Sequence, residues 1–153
     1  MQTIANPGTL GSLIDRLKRL QPDSPRRWGT LTPGEMLCHL ADAHDSVLGT
    51  RVPPGPASTG KPRPLMKWFA LSVPLPWPKG IQTRPGVDPK LDGTHPGEFE
   101  QDRERTISGL KQIVETAPAS LTPVHIIFGP MSASDWYRWG YLHVDHHLRQ
   151  FSL

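Results

Sequence analysis

Hydrophobic residues recur at spacings of three and four in four separate stretches of the chain, the periodicity of amphipathic helices. The first predicted helix covers about Thr9–Leu20, with apolar positions at Leu10, Leu13, Ile14, Leu17 and Leu20. The second covers about Pro33–Thr50, because Thr32 and Glu35 form a capping box and proline is best tolerated in the first turn. Its apolar side consists of Met36, Leu40, Ala43 and Val47.

The third and fourth predicted helices lie in the second half of the chain. The third follows segment 94–98 and ends before Pro118, with apolar positions at Phe99, Ile107, Leu110, Ile113 and Val114. The fourth begins near Ser132, which forms a second capping pair with Asp135. Residues 121–128 are rich in β-branched residues and predict only a minor extended element. Four amphipathic helices without convincing alternating strands predict an all-α fold, a four-helix bundle.

A long connection separates the second and third predicted helices. Residues 51–93 make up 43 positions and contain 10 of the 18 prolines. A connection of this length indicates either disorder or an ordered crossover with a function. The segment Leu65–Leu71 and Trp77 are too apolar for a solvated linker, which favours an ordered arm with a short helix over Pro64–Ser72. A long crossover also allows the third helix to run parallel to the second.

The composition limits the class of protein. A chain of 153 residues can bury a core without disulfides, and we expect one domain over 1–153 with residues 51–93 as an insert. The single cysteine, Cys38, excludes an internal disulfide framework and fits a reducing cytoplasm. No apolar run approaches the roughly 18 residues of a membrane span, and the first residues do not resemble a signal peptide. We therefore expect a cytoplasmic protein without a membrane partner.

The charge of the chain does not indicate a nucleic-acid partner. The net charge is +3 and the isoelectric point is about 9.3, which is only mildly basic. Nucleic-acid binding would require a denser basic stripe or a recognisable reading motif, and neither is present.

Three of the seven histidines lie in segment 143–147 of the last predicted helix. His143 and His147 are four residues apart, so they lie on the same helical face and could bind one metal ion. The same face, an arc of roughly 120°, also contains Trp136, Trp139, Gly140, His146 and Gln150. The alternative is a solvated cluster or core histidines with hydrogen bonds, since two ligands on one helix do not make a site.

The best candidate for a third ligand is His39, at the edge of the apolar stripe of the second helix. Asp42 and Glu35 lie three and four residues away on the same side, so either could orient its ring or join as a carboxylate ligand. His44 is the weaker competitor, because it points about 140° away from His39.

Segments 28–42 and 128–151 carry a resemblance to a known family. With His39 in the first segment and the pattern His143-x-x-His146-His147-x-x-Gln150 in the second, the chain resembles the DinB-like superfamily of metalloenzymes. In particular it resembles a subfamily of bacterial proteins with a proline-rich insert at the position of residues 51–93. The resemblance covers nearly the whole chain.

The resemblance implies a four-helix bundle in up-down-down-up order, often a dimer, that binds a divalent metal through three histidines. By position, the ligands would be His39, His143 and His147, and His146 and Gln150 would contact the ligands or line the pocket. The resemblance does not identify a substrate, because a shared fold supports many reactions.

Three neutral ligands would leave the metal its full charge and an open position, as in catalytic zinc sites. Such a site supports hydrolysis or thiol transfer, so we expect a metal-dependent enzyme with a small-molecule substrate and a thiol cosubstrate in the second case. Zinc is the first choice, and nickel or iron also accept imidazole. The alternative is a non-catalytic bundle that binds a small molecule, with a structural or adventitious metal and walls formed by Trp68, Trp77, Trp136 and Trp139.

Overall fold

The computed structural model describes residues 1–51 and 63–153, and these residues are dominated by helix. Their α-helices are α1 (Pro7–Arg19), α2 (Pro33–Leu48), α3 (Pro64–Ser72), α4 (Phe99–Glu115) and α5 (Ala133–Leu148). Two short antiparallel strands, β1 (Val124–His125) and β2 (Gly129–Pro130), are the described β-structure. Three-residue 3₁₀ turns occur at Pro85–Val87, Pro118–Ser120 and Arg149–Phe151. Of the predicted arm, residues 51–93, the segment 52–62 lies outside the described residues.

The helix starts follow the capping signals of the sequence. At the start of α2, the Glu35 amide donates to Thr32 Oγ1 at 3.2 Å and the Thr32 amide donates to Glu35 Oε2 at 2.8 Å. Ser132 and Asp135 form the same reciprocal pair at α5. Helix α1 begins at Pro7, two residues before the predicted start, because the side chain of Asn6 caps it.

The four long helices α1, α2, α4 and α5 correspond to the four predicted ones and share one core. Helix α2 packs most extensively on α4, and α5 contacts α1, α2 and α4. The centres of the predicted apolar stripes are buried. The residues there that are at most 3% exposed are Leu13, Leu17, Met36, Leu40, Val47, Ile107, Leu110 and Ile113. Full burial of each such side chain stabilises the fold by about 1.5–3 kcal/mol. These contacts fix α2 against α5, where the histidines lie.

The described part of the connection, residues 63–93, contacts the long helices. The predicted short helix is confirmed as α3, with the predicted bounds. Lys67 of α3 donates to Asp135 Oδ2 at 3.0 Å, and the guanidinium of Arg138 donates to the carbonyl oxygen of Leu71 at 2.8 Å. These contacts place α3 against α5.

The other minor expectations can also be compared with the structure. The extended element expected within residues 121–128 is β1, which is two residues long. None of the helices in the described ranges combines the length and the apolar character that crossing a bilayer requires.

Candidate metal centre

Three buried imidazoles meet between α2 and α5. His39 is 5% exposed, and His143 and His147 are each 8% exposed. One ring nitrogen from each lies within 4.8 Å of one from the others. The closest pair is His39 Nε2 and His143 Nε2, at 3.1 Å. The structure therefore brings together the three residues that the sequence selected.

Two of the three rings are oriented by oxygen atoms that can only accept hydrogen bonds. His39 Nδ1 lies 2.8 Å from the carbonyl oxygen of Val87, and His147 Nδ1 lies 3.1 Å from Gln150 Oε1. Each Nδ1 must therefore carry the proton. In the neutral ring, this leaves the lone pair on Nε2, the nitrogen that faces the cluster in His39.

His143 is oriented differently. Its Nδ1 is buried and has no hydrogen-bond partner among the described residues. Its ring packs against the indole of Trp139, with the centroids 4.5 Å apart. The orientation of His143 thus depends on packing and on its contact with His39.

Burial determines the charge of the cluster. Loss of hydration lowers the pKa of all three histidines, because the charged form is the one that burial disfavours. The pKa of His143 is lowered further by His147 and His39, and that of His147 by His39. For His39 the Val87 carbonyl and the charge of Asp42 act in the opposite direction. The three rings are consequently neutral near pH 7, the form in which imidazole binds metals.

Asp42 is fully buried, and its oxygen atoms are occupied by partners other than His39. It accepts hydrogen bonds from the Thr94 amide and hydroxyl, both at 2.7 Å. It also pairs with Arg105 at 2.8 Å and with Arg51 at 3.3 Å. Asp42 therefore acts on the His39 ring through its charge rather than by a hydrogen bond.

Glu35 also lacks a hydrogen bond to His39. Its carboxylate caps α2 and lies 3.7 Å from Lys90 Nζ. The orienting acceptor is instead the backbone of Val87, in the long connection. Sequence reasoning missed Val87, because any residue type offers a carbonyl and no pattern in the sequence indicates where this segment returns to α2.

Tryptophan closes one side of the cluster. Trp139 contacts His143 directly, while Trp136 lies one layer further, 5.5 Å from Trp139 between ring centroids. Trp77 from the connection lies 6.2 Å from His143. Trp68, considered from the sequence as a wall of the pocket, is 60% exposed on α3.

His146 lies next to the cluster rather than in it. Its ring is 5.4 Å from that of His147 and 4.8 Å from that of Trp28, in edge contact. It borders a cavity of about 640 Å³. Among the residues that line this cavity are Arg27, Trp28, Trp77, Lys79, His146 and Arg149. Of these, the sequence had suggested only Trp77 and His146 as pocket residues.

Comparison with known proteins identifies the family but supplies no characterised relative. Searches of curated proteins and of solved structures found no match. The sequence profile of the DinB superfamily matches residues 5–151, a range that contains all three clustered histidines. The chain belongs to the DinB superfamily.

Proposed function

We propose that His39, His143 and His147 bind one divalent metal ion through Nε2, and that the protein uses this ion as an enzyme acting on a small molecule. The observation that carries the proposal is the convergence of three buried, neutral imidazoles, two of which have Nδ1 engaged by an oxygen acceptor. An outer partner of this kind on the second nitrogen is typical of metal-binding histidines.

The spacing of the nitrogens fits the proposal. Two imidazole nitrogens bound to one tetrahedral zinc at about 2.05 Å are about 3.3 Å apart, and the Nε2 atoms of His39 and His143 are 3.1 Å apart. Because His39 donates through Nδ1, its Nε2 presents a lone pair to His143. Without a cation, a proton on His143 Nε2 can link the two atoms. With a cation, that proton belongs on His143 Nδ1, the buried nitrogen that has no partner in the described chain.

A divalent ion with three neutral ligands supplies Lewis acidity at an open position, which suits either hydrolysis or the activation of a thiol cosubstrate. The chain supplies the surroundings. Trp139 covers one side of His143 and limits the access of water there. Val87 and Gln150 hold the His39 and His147 rings. Zinc is the first candidate, and nickel or iron are the alternatives.

The helix order that we propose is up-down-down-up for α1, α2, α4 and α5. Contacts between α2 and the chain around α4 advance in the same direction, since Gly34 lies against Pro96 and His44 against Gly109. Parallel α1 and α5 are supported by the bond from the Ile4 amide to the Tyr137 carbonyl and by the ion pair of Arg16 with Asp145.

The metal prediction is tested on untagged protein by elemental analysis and by titration against a competing chelator. Loss of a group that hydrogen-bonds to a metal ligand typically lowers metal affinity about 10–100-fold. Replacing His39, His143 or His147 by alanine removes the ligand itself, so each replacement should lower metal affinity by more than that. His95→Ala, at an exposed position, is the control and should bind as the parent protein does. Unchanged affinity in two of the three ligand variants would contradict the proposal.

A second function, binding without catalysis, is favoured by the cavity beside His146. The two functions differ in turnover. An enzyme that depends on the ion should lose all turnover when a chelator is added, while its circular dichroism stays unchanged because the helices bury their own core. A ligand that binds equally well after removal of the ion, in a protein with no metal-dependent turnover against thiols, esters and amides, would favour the binding function.

A further inference from the structure

The cavity next to the histidine cluster has a charge pattern that the proposed metal site does not explain. Three of its lining side chains, Arg27, Lys79 and Arg149, are cations, and no carboxylate is among the lining residues. Two of the three lack a carboxylate partner within the described ranges, and Arg149 has only Asp145, at 3.7 Å. The cavity is therefore a concentration of positive charge on a chain whose net charge is only +3.

The three cations are exposed side chains that border the cavity from different parts of the chain. The backbone amide of Arg27 donates to the Gln150 carbonyl at 2.7 Å, and its side chain is hydrogen-bonded to Ser152. Lys79 Nζ lies 5.5 Å from the centre of the Trp28 ring, in a cation–π contact. Arg27 lies in the segment before α2, and Lys79 lies in the long connection.

The remaining wall is aromatic. Trp28 meets the edge of His146 at 4.8 Å, and Trp77 lies 6.0 Å from the same ring. The Trp77 indole is fixed, because its Nε1 donates to the Ala70 carbonyl at 2.9 Å. Apolar aromatic walls with a few convergent polar groups, in a volume of about 300–1,000 Å³, are the usual form of a small-molecule site.

The cavity also adjoins the proposed ligands. Its wall residues Trp77 and His146 contact His143 and His147, with ring centroids 6.2 Å and 5.4 Å apart. A molecule held between the two tryptophans would lie one side-chain layer from the cluster.

We propose that this cavity binds a small organic carboxylate with a flat apolar body, its carboxylate facing Arg27, Lys79 and Arg149 and its body against Trp28 and Trp77. The inference that the cavity binds an organic anion depends on the cavity alone and does not require the proposed metal site. The further inference that such carboxylates are the substrates of the histidine site rests on the proposed function.

The experiment uses 2-naphthoate as probe and its neutral analogue 2-naphthamide, titrated calorimetrically into metal-free and zinc-treated protein. We expect naphthoate to bind metal-free protein at least about tenfold more tightly than the amide, a difference of about 1.4 kcal/mol, because only the carboxylate can accept charge-assisted hydrogen bonds from the cations. The preference should shrink as salt is raised. The metal-free measurement excludes direct binding of the carboxylate to the ion.

Variants locate the site. Lys79→Gln and Arg27→Gln should each weaken naphthoate binding about fivefold or more and leave the amide unchanged. The control Lys111→Gln removes an exposed cation of α4, outside the cavity, and should have no effect. Equal affinity for the two probes, or equal losses in Lys79→Gln and Lys111→Gln, would overturn the proposal.

The two proposals fail separately. Naphthoate binding in a protein that takes up no stoichiometric metal would keep the anion site and reject the metal centre. Metal binding that needs all three histidines, in a protein that does not distinguish the two probes, would do the reverse.

Discussion

His44 offers a test of how burial controls the stability of this fold. It is fully buried on α2 and packs against Gly109 of α4 so closely that a Cβ added there would lie 3.0 Å from the His44 Cβ. Neither of its ring nitrogens has a partner of hydrogen-bond geometry among the described residues. Burial lowers its pKa from 6.5 to about 3, against a smaller opposing effect of the Thr106 backbone.

The direction of the pH effect follows from this shift. The folded state holds His44 neutral, whereas the unfolded chain takes up a proton as the pH falls through 6.5. The stability that His44 contributes is therefore complete above pH 6.5 and is lost as the pH falls toward 3. One unit below the unfolded pKa the loss is about 1.4 kcal/mol, with almost none at pH 7.5.

The perturbation is His44→Phe, which keeps a ring of similar size and removes the titration. The free energy of unfolding is measured by urea denaturation at pH 7.5 and 5.5 on metal-free protein. Other buried histidines weaken both proteins in acid, so the informative quantity is the difference between them. We expect the variant to lose about 1.4 kcal/mol less than the parent protein over this range.

His95→Phe, at an exposed position, is the control and should show the acid sensitivity of the parent. Parallel stability profiles for His44→Phe and the parent protein would refute the reasoning, since they would mean that His44 has the same pKa in both states or is already charged when folded.

Two further changes test the groups around the cluster. Gln150→Ala removes the acceptor of His147 Nδ1 and should lower metal affinity about 10–100-fold in a chelator competition. Gln150→Glu keeps an acceptor and should retain most of the metal affinity. Equal losses of affinity in both variants would show that the hydrogen bond is not the cause. Asp42→Asn removes a buried charge with two arginine partners and should lower the free energy of unfolding, measured by urea denaturation, by about 3 kcal/mol. The control is Asp23→Asn, at an exposed carboxylate. A loss of stability in Asp42→Asn no larger than that of the control would contradict the role assigned to Asp42.

The sequence predicted the helices and the pair His143 and His147 because both depend on local spacing. Capping pairs and apolar periodicity act within one helix, and His143 and His147 meet because they are one turn apart. His39 could be added since its helix start was well marked by Thr32 and Glu35. The groups around the cluster could not be predicted in the same way: the Val87 carbonyl reaches His39, and Trp28 reaches the neighbouring His146, from segments whose path depends on tertiary packing.

Asp42 shows why the prediction of a role can miss its mechanism. From their spacing to His39, the sequence suggested that the carboxylate of either Asp42 or Glu35 could orient the ring or join as a metal ligand. The structure shows Asp42 bonded instead to Arg51 and Thr94, at the beginning and just beyond the end of the connection 51–93. Arg51 in turn donates to the Gly86 carbonyl at 3.0 Å, next to the residue whose carbonyl holds His39.

Asp42 thus closes the base of the long connection and fixes the segment that orients His39. Its removal should therefore lower both the free energy of unfolding and the metal affinity, because the Val87 carbonyl would lose its position. A direct contact between Asp42 and the ring would lower the affinity without affecting the segment around Gly86. Hydrogen exchange of the amides in residues 84–94 distinguishes the two: faster exchange in Asp42→Asn is expected here, and unchanged exchange with weakened metal binding would restore the direct role.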